Sequence, residues 1–260
     1  NITKKIMHFN FDKKLVLITG STKGIGFDIA QRFLSYKAKI IITGRQFLKK
    51  NQDKIKGEDY IFFKANFKDL KNTKKLLNEL KKKKLFPDII VNNVGGNENF
   101  KDPLCSVKSW QNVFNLNLLN AIEINNFFIP HMKKKKWGRI CHISSISALE
   151  NQGHPAYCSA KAAVNAYVRS VGRYLSKDKI IMNCVMPGAI LTDNGYWDMI
   201  RKKNKKTYEN YTKERMAIKR MGLASEISNF VIFACSNYAS FSVGSAFLVD
   251  GGQGKSFQQE

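Results

Sequence analysis

LVLITGSTKGIG, at residues 15–26, is the stretch that decides the fold of this 260-residue chain. Four apolar residues and Thr19 have the pattern of a short buried strand, and a glycine-rich loop then leads into a helical pattern that begins at Gly24. Glycines let the backbone approach a pyrophosphate closely, and the following helix offers free N–H groups and a positive dipole end. The spacing G-x-x-x-G-x-G differs from the common G-x-G-x-x-G, but the required strand–loop–helix context is present. We therefore predict a nucleotide-phosphate site formed by Gly20, Ser21, Thr22, Lys23, Gly24, Ile25 and Gly26.

The rest of the chain alternates short apolar runs with longer amphipathic stretches. The runs are β-branched and nearly continuous in apolar character, which is typical of parallel strands covered on both faces. Such alternation predicts right-handed βαβ units in an α/β, doubly wound sheet, and no hinge or repeat divides residues 1–260 into more than one domain. The predicted strands are 15–19, 40–43, 60–63, 89–92, 139–144, 180–185 and 246–249, and the predicted helices are 24–36, 70–82, 107–132, 156–176 and 225–236.

Composition excludes several classes of protein. Hydrophobic residues make up 43% and charged residues 25% of the chain, which are ordinary globular values. The five cysteines are scattered without C-x-x-C spacing, which favours reduced thiols over a disulfide framework or a metal site. No run approaches the ~18 apolar residues of a membrane span, and residues 1–14 lack the apolar core of a signal peptide. The sequence predicts a soluble, cytoplasmic chain without metal or membrane.

The charge balance is strongly basic, with 44 Lys and Arg against 20 Asp and Glu and a net charge of +24. Such a charge raises nucleic acid as a partner. The cations occur in short runs, and those at 81–84 and 133–136 close predicted helices, where they offset the helix dipole. Without a base-reading motif, charge gives only non-specific affinity. We predict a solvated basic surface. A nucleic-acid binder remains an alternative, which a steep salt dependence of the affinity for DNA or RNA would reveal.

The end of the second strand bears on the choice of nucleotide. An acid normally stands there to hydrogen-bond the ribose 2′-OH. This chain has Arg45 instead, and Lys23 in the glycine loop adds a second cation. A guanidinium fork suits a 2′-phosphate, so the sequence favours NADP(H) over NAD(H).

Tyr157 and Lys161 are spaced to share one face of a predicted helix. A free tyrosine has a pKa near 10, and a neighbouring ammonium lowers that value by favouring phenolate. Ser144 and Ser145 end a predicted strand upstream and can place a hydroxyl beside the phenol. Strand register selects Ser145, whereas counting back from Tyr157 selects Ser144. Tyr157, Lys161 and the nearby serine hydroxyl together predict proton transfer to or from a substrate oxygen.

Further motifs follow in a fixed order. After the glycine loop come NNVG at 92–95, Asn117 within NLNL, Tyr157 with Lys161, PGAILT at 187–192 and VDGG at 249–252. With these motifs, the chain resembles the compact, single-domain branch of the short-chain dehydrogenase/reductase family over essentially its whole length. The resemblance implies a Rossmann-type, doubly wound, parallel seven-stranded sheet with helices on both faces.

The resemblance also implies a catalytic tetrad. Tyr157 would be the general acid and base, Lys161 would lower its pKa and hold the nicotinamide ribose, Ser145 would bind the substrate oxygen, and Asn117 would hold a water that resupplies the proton. Asn92 would line the adenosine side. The remaining cofactor contacts would come from Arg45, Asn66, Phe67, Asn93, Gly95, Pro187, Gly188, Ile190 and Thr192, together with Tyr157 and Lys161.

Several positions depart from the family pattern or stay open. Val94 replaces the usual alanine, and Asn66 replaces an aspartate near the adenine. His142 is expected to be structural, whereas His154 is a candidate to face the substrate. The loop at 97–102 matches no substrate class. The basic, aromatic segment 193–221 is expected to be a substrate lid or a pair of surface helices.

The leading hypothesis is an NADP(H)-dependent oxidoreductase that interconverts a secondary alcohol and a ketone, the ketone being of 3-oxoacyl or sugar type. The alternatives are a non-catalytic nucleotide-binding or regulatory protein on the same fold and the basic nucleic-acid binder. The resemblance implies a homotetramer or dimer formed through the helices at 107–132 and 156–176. Their apolar faces could equally pack on the sheet, and they carry Phe114, Leu118, Ile122, Ala163, Ala166 and Val171.

Overall fold

A seven-stranded parallel sheet lies at the centre of the computed structural model, which describes residues 8–55, 59–98 and 102–256. The strand order is β3-β2-β1-β4-β5-β6-β9, and β7 pairs only with β8 in a separate two-stranded sheet. This confirms the predicted Rossmann-type, doubly wound fold, and all seven predicted strands are present. The strands are β1 (Leu15–Ile18), β2 (Lys39–Gly44), β3 (Tyr60–Lys64), β4 (Ile89–Asn92), β5 (Gly138–Ile143), β6 (Ile180–Pro187), β7 (Ile190–Leu191), β8 (Gly222–Leu223) and β9 (Ala246–Val249).

The helices cover both faces of the sheet. The predicted helix at 107–132 is interrupted by a π turn at Asn115–Leu119, and a short helix at 49–52 was not predicted. In the described ranges, no helix combines the length and the apolar character that crossing a membrane demands. The helices are α1 (Gly24–Ser35), α2 (Lys49–Gln52), α3 (Leu70–Lys82), α4 (Val107–Phe114), α5 (Asn120–Lys135), α6 (Pro155–Leu175), α7 (Tyr196–Lys203), α8 (Lys205–Arg215) and α9 (Ala224–Cys235).

Two apolar cores sandwich the sheet, because successive strand side chains point to opposite faces. Val16 and Ile18 of β1 join the core under α1 and α9, whereas Leu17 joins the core under α3, α5 and α6. Phe33 and Phe128 are fully buried, one in each core. Burying a side chain of this size contributes about 1.5–3 kcal/mol, so the two layers hold the strands in place.

The outer helices pack on the sheet with most of the apolar residues noted in the sequence. Leu118 belongs to the core under α3, α5 and α6, and Phe114, Ile122, Ala163 and Val171 pack against that core. Ala166 is exposed. These faces therefore contribute to the monomer's own core.

The strand order reverses between β1 and β4. The chain leaves β1 towards β2 and leaves β4 towards β5, on the other side of β1. In open α/β sheets, ligands bind in the crevice that opens beyond the carboxyl ends of the strands at such a point. The glycine loop and Asn93 lie at this crevice, directly after β1 and β4.

Residues 193–221 form two helices outside the sheet, as one of the two sequence interpretations predicted. Trp197 of α7 and Tyr208 and Tyr211 of α8 pack on a small apolar cluster made by Ala189, Met216 and Met221. The cluster places this pair of helices beside the carboxyl end of β6.

Candidate active site

The glycine loop after β1 has a backbone that favours glycine. Gly20 has φ +65° and Gly24 has φ +59°, in the left-handed region that glycine tolerates. A Cβ at Gly26 would lie 2.5 Å from the carbonyl oxygen of Gly20. The loop therefore folds back on itself as tightly as a backbone can, and its groove fits the close approach of a pyrophosphate.

Side chains from two neighbouring strands hold this loop. The hydroxyl of Thr43 accepts from the backbone N–H of Gly20 at 3.2 Å, and Ser21 Oγ donates to the carbonyl of Ile18 at 2.8 Å. Asn93 donates through Nδ2 to the carbonyl of Thr19 at 2.9 Å. Ser21 is thus buried and structural, and Asn93 fastens the loop to the end of β4.

A cleft of about 420 Å³ opens at this end of the sheet. Ten of the residues predicted to contact a cofactor line it, namely Gly20, Thr22, Lys23, Gly24, Arg45, Asn66, Phe67, Asn93, Gly95 and Thr192. The other predicted residues do not line it, namely Ser21, Ile25, Gly26, Asn117, Ser145, Tyr157, Lys161, Pro187, Gly188 and Ile190. Of the other lining residues, Val94 belongs to the NNVG motif singled out in the sequence, and Asn97, Glu98, Asp193, Asn194 and Gly195 lie in the two segments considered for the substrate. The sequence did not point to Gly44, Ala65, Lys68, Gly96 or Leu116. Most of these follow strand ends, which was the signal available for finding them.

A basic pocket adjoins the cleft beyond β2. Arg45, Lys23 and Lys64 line it, and no acid does so among the described residues. Arg45 and Lys23 are exposed, and their side chains have no ion-pair or hydrogen-bond partner in the part of the chain that the structure describes. Lys64 was missed from the sequence, although its pairing with Gly44 across β2 and β3 brings it to this edge. The pocket can accept an anion.

Tyr157 and Ser145 lie together at the start of α6. The helix begins at Pro155, a residue favoured in the first turn, and Tyr157 follows within that turn. The phenol lies beside the Ser145 side chain. Burial raises the pKa of Tyr157, and the interaction with the Ser145 hydroxyl opposes that rise.

Lys161 is buried one turn further along α6. Its Nζ donates to the carbonyl of Ile143 at 2.8 Å and lies 5.6 Å from the centroid of the Tyr157 ring. Burial lowers the pKa of Lys161 to about 8. The sequence led us to expect a lowered pKa at Tyr157, but in this structure desolvation of the phenol is the larger effect.

Ser144 and Ser145 point in different directions. Ser144 Oγ donates to Asn165 Oδ1 at 2.7 Å and lies 3.3 Å from the carbonyl of Lys161, so it faces the interior. Ser145 is half-buried and lies beside Tyr157. The geometry therefore places Ser145, and not Ser144, next to the phenol.

Asn117 is presented by the π turn between α4 and α5. Its Nδ2 donates to the carbonyls of Gly96 (2.7 Å) and Val113 (2.8 Å), and its Oδ1 accepts from the N–H of Gly96 at 3.0 Å. A Cβ at Gly95 would lie 2.7 Å from Asn117 Oδ1 and 2.9 Å from Lys161 Nζ. Asn117 and Lys161 therefore meet at the backbone of Gly95. Such turns occur frequently at functional sites.

Asn92 does not line the cleft, which corrects the expected adenosine contact. It is buried, and its Nδ2 donates to Asn125 Oδ1 at 3.0 Å and lies 3.3 Å from His142 Nε2. Asn125 Nδ2 contacts His142 Nε2 at 3.1 Å. Burial lowers the pKa of His142 to about 3, so this imidazole is neutral and structural. The side chain of Asn92 faces the interior because β4 alternates its side chains between two buried layers.

His154 caps the N-terminus of α6. Its Nδ1 accepts from the N–H of Ala156 at 3.3 Å, and its Nε2 lies 2.7 Å from the carbonyl of Asp102. His154 is buried and joins two backbone segments, so its ring is occupied by structural contacts. In the 97–102 loop, residues 99–101 lie outside the described residues.

The segment 188–192, which follows β6, borders the cleft only at Thr192. Gly188 donates its N–H to the carbonyl of Val249 at 3.1 Å, and Ile190 lies in β7. Thr192 lines the cleft, with its Oγ1 3.7 Å from the place that a Cβ on Gly24 would take. Pro187, Gly188 and Ile190 thus carry Thr192 to the glycine loop.

Comparison with known proteins adds to this geometry. The model of the short chain dehydrogenase family matches residues 14–201. The chain is 31% identical over 256 residues to 3-oxoacyl-(acyl-carrier-protein) reductase FabG of Aquifex aeolicus, covering 95% of this chain and 99% of that protein. It is 26% identical over 246 residues to acetoacetyl-CoA reductase of Cupriavidus necator, covering 92% and 98%. L-sorbose reductase from Gluconobacter frateurii, solved in complex with NADPH and L-sorbose, superposes with a TM-score of 0.86 at 29% identity, covering 96% and 100%.

Proposed function

Because this chain belongs to the short-chain dehydrogenase family and is therefore an oxidoreductase with a nicotinamide cofactor, we propose that it interconverts a ketone and a secondary alcohol with NADP(H). The observation that carries the proposal is the grouping of Tyr157, Ser145 and Lys161 beyond the carboxyl ends of β5 and β6. When bound, the reduced cofactor supplies a hydride to the carbonyl carbon. The chain's own residues must then stabilise and protonate the carbonyl oxygen.

Tyr157 is the proton donor in this proposal. Its raised pKa keeps the phenol protonated at neutral pH, as a general acid in carbonyl reduction must be. Ser145 lies within hydrogen-bonding reach of the phenol and gives the substrate oxygen a second partner. In the structure the Ser145 proton points to Ser147, so the hydroxyl must rotate to donate to the substrate oxygen, where it would stabilise the negative charge that develops.

Lys161 and Asn117 resupply the proton. Lys161 has a pKa of about 8, so the proton on its Nζ is exchangeable near neutral pH. Asn117 Oδ1 and Lys161 Nζ converge on Gly95, where a side chain would exclude both. We propose that this point holds the water that connects Lys161 with solvent.

NADP(H) is preferred in this proposal because of the basic pocket. Arg45 and Lys23 carry no competing ion pair among the described residues, and a guanidinium fork matches a phosphate. Thr192, Asn93 and Gly95 line the cleft on its other sides and would hold the rest of the dinucleotide. The NADPH in the solved L-sorbose reductase complex supports the same preference.

We propose that the 193–221 segment is the lid over the substrate. Asp193, Asn194 and Gly195 line the cleft, and α7 and α8 follow directly. The exposed basic residues of these helices suit a polar or anionic ketone. The names of the relatives point to 3-oxoacyl thioesters or sugar ketones as that class.

We further propose that the enzyme is a homotetramer or a dimer. Large apolar side chains stay exposed near the start of α4 and on α6, with Leu104 at 89%, Val107 at 75% and Tyr174 at 58% exposure. Burial of such residues between copies would remove apolar area from water.

Cofactor titration tests the proposal directly. NADPH and NADH are titrated against the wild type, Arg45→Ala and the control Lys82→Ala, which removes an exposed cation from α3. NADPH should bind at least about tenfold more tightly than NADH, a difference of about 1.4 kcal/mol, and only Arg45→Ala should remove the difference. Equal affinities in the wild type would contradict the NADP(H) preference.

A ketone screen then tests the chemistry. Tyr157→Phe should lower kcat by about 10²- to 10⁴-fold, because the general acid is lost. The affinity for NADPH should change little. An unchanged kcat in this variant, with a substrate that the wild type reduces, would remove Tyr157 from the mechanism.

A further inference from the structure

Gln253 joins three separate parts of the site, although no motif marked it. It lies just beyond the final strand and is 5% exposed. Its Oε1 accepts from the N–H of Ala189 at 2.7 Å. Its Nε2 donates to Gln152 Oε1 at 2.8 Å and to the hydroxyl of Tyr211 at 2.7 Å. One side chain thus contacts the segment after β6, the loop after β5 and helix α8.

The orientation of the Gln253 amide follows from its neighbours. The backbone N–H of Ala189 can only donate, so it must face Oε1 of Gln253. Gln152 Nε2 donates to Glu150 Oε2 at 2.7 Å, and a carboxylate only accepts, so Gln152 turns its Oε1 towards Gln253. Each donor therefore meets an acceptor, and a flip of either amide would break the set.

The contact with Gln152 leads to Ser145. Ser147 Oγ donates to the carbonyl of Gln152 at 2.7 Å, and Ser145 Oγ donates to Ser147 Oγ at 3.1 Å. A hydroxyl has one proton, so Ser147 can only accept from Ser145 once it donates to Gln152. The position of Gln152 thus controls which way the Ser145 hydroxyl points beside Tyr157.

Glu150 fastens the C-terminal residues to the same loop. Its carboxylate accepts from Gln152 Nε2 and from the backbone N–H groups of Lys255 and Ser256. These hydrogen bonds, that from Gln152 first, lower the pKa of Glu150 to about 2. The segment that carries Gln253 is therefore held on both sides of Gln253, by β9 and by Glu150.

We infer that Gln253 is a positioning residue that links the 193–221 segment to Ser145. Through Tyr211 it holds α8, and through Gln152 and Ser147 it orients the hydroxyl of Ser145 beside Tyr157. Packing of α8 and the orientation of Ser145 then depend on each other. This inference rests on the proposed function only for the role of Ser145; the mechanical link stands on the hydrogen bonds themselves.

Two variants test the hydrogen bonds of Gln253 to Gln152 and to Tyr211 separately. Gln253→Glu keeps an acceptor for Ala189 and for the Tyr211 hydroxyl, but it has no N–H for Gln152. Tyr211→Phe removes the contact with α8 alone. Tyr208→Phe is the matched control, since its hydroxyl lies in the same helix and has no hydrogen-bond partner in the described part of the chain.

Amide hydrogen exchange, measured without substrate, tests the link. In Gln253→Glu, exchange should accelerate about five- to tenfold at residues 145–152, the effect of one lost hydrogen bond, and should stay near the wild-type rate at 196–215. In Tyr211→Phe the pattern should reverse. Gln253→Met should accelerate both regions, and Tyr208→Phe neither. Acceleration confined to residues 250–256 in the Gln253 variants would overturn the inference.

Kinetics with a reducible ketone test the role in positioning. Gln253→Glu should lower kcat about tenfold and leave the Kd of NADPH unchanged, whereas a merely structural loss would weaken both. Should the wild type reduce no ketone, the proposed function fails, but the exchange data still decide the link. Should it reduce ketones and Gln253→Glu keep full kcat, the link to Ser145 is wrong.

Discussion

The glycine loop at 20–26 and the 193–221 segment border the same cleft, but they are held by different interactions. Backbone groups of the loop form hydrogen bonds with Thr43 and Asn93, and a Cβ at Gly26 would lie 2.5 Å from the Gly20 carbonyl oxygen. The 193–221 segment rests on aromatic contacts, such as Trp197 on Tyr211 with ring centroids 4.1 Å apart. It is also held by the hydrogen bond from Gln253 to Tyr211, by one from the Ile218 N–H to the Gly251 carbonyl, and by the ion pair of Arg220 with Glu226.

The difference shows where precision is needed. A phosphate groove needs backbone N–H groups that point at the ligand, and a constrained backbone fixes such groups more firmly than flexible side chains do. The lid proposed at 193–221 would have to move to admit a substrate, and such elements come from the less stable part of a fold. The side-chain contacts of α7 and α8, including that of Tyr211 with Gln253, suit such a segment.

The largest effect is expected where the backbone is tightest. Gly26→Ala would put a methyl group 2.5 Å from the carbonyl of Gly20, and overpacking of this kind costs about 1–3 kcal/mol. We expect a loss of thermal stability and a loss of NADPH affinity beyond about 100-fold, measured by calorimetry and by titration. The control Ala217→Gly changes an exposed residue between α8 and β8 and should leave NADPH binding intact. If Gly26→Ala binds NADPH normally, the glycine loop is not tightly constrained, and the contrast drawn between it and the 193–221 segment is wrong.

A pH profile tests the role of Lys161. Lys161 has a lowered pKa of about 8, so it loses its proton as the pH rises above that value. Ketone reduction should then slow by about tenfold per pH unit, because the proton supply to Tyr157 is lost. Stability should respond in the opposite direction. Between about pH 8 and 10.5 the unfolded chain binds the additional proton, so this residue favours the folded state increasingly as the pH rises.

The variant Lys161→Met isolates that contribution. The difference in unfolding free energy between wild type and variant, followed by denaturant titration from pH 7 to 10, should change in favour of the wild type with rising pH. A difference that stays flat would mean that the ammonium is not desolvated in the folded protein.

The smallest effect is expected in the 193–221 segment. Trp197→Ala removes an aromatic pair worth about 0.5–1.5 kcal/mol, which corresponds to roughly two- to tenfold in an equilibrium. We expect the KM for the ketone to rise by that factor, while the affinity for NADPH and the midpoint of global unfolding stay unchanged. Trp137→Ala, in the loop before β5, serves as a control that should not change KM. A fall in NADPH affinity with Trp197→Ala would show that the segment belongs to the cofactor site.

The same contrast explains how far the sequence could predict the molecule. The strand at 89–92, the helix at 70–82 and the glycine loop were predictable, because buried strands and backbone turns restrict local residue types. Ser145 could be chosen over Ser144 by strand register, and the structure places it beside Tyr157. Gln253 could not be found, since its partners are 42, 64 and 101 residues away and any polar residue satisfies the local pattern. Asn92 was misplaced because its motif does not show on which face of β4 its amide lies.

The π turn at Asn115–Leu119 has a consequence for the gene as well as for the protein. A π turn corresponds to one residue inserted into an α-helix. Loss of a single codon here would leave a well-bonded helix, but every residue on one side of it would rotate by about 100° relative to the other side. Asn117 could not then meet Lys161 at Gly95 while Phe128 stayed in its core. Natural relatives that keep the chemistry should therefore tolerate substitutions at the positions of this turn other than Asn117 more readily than a change in its length.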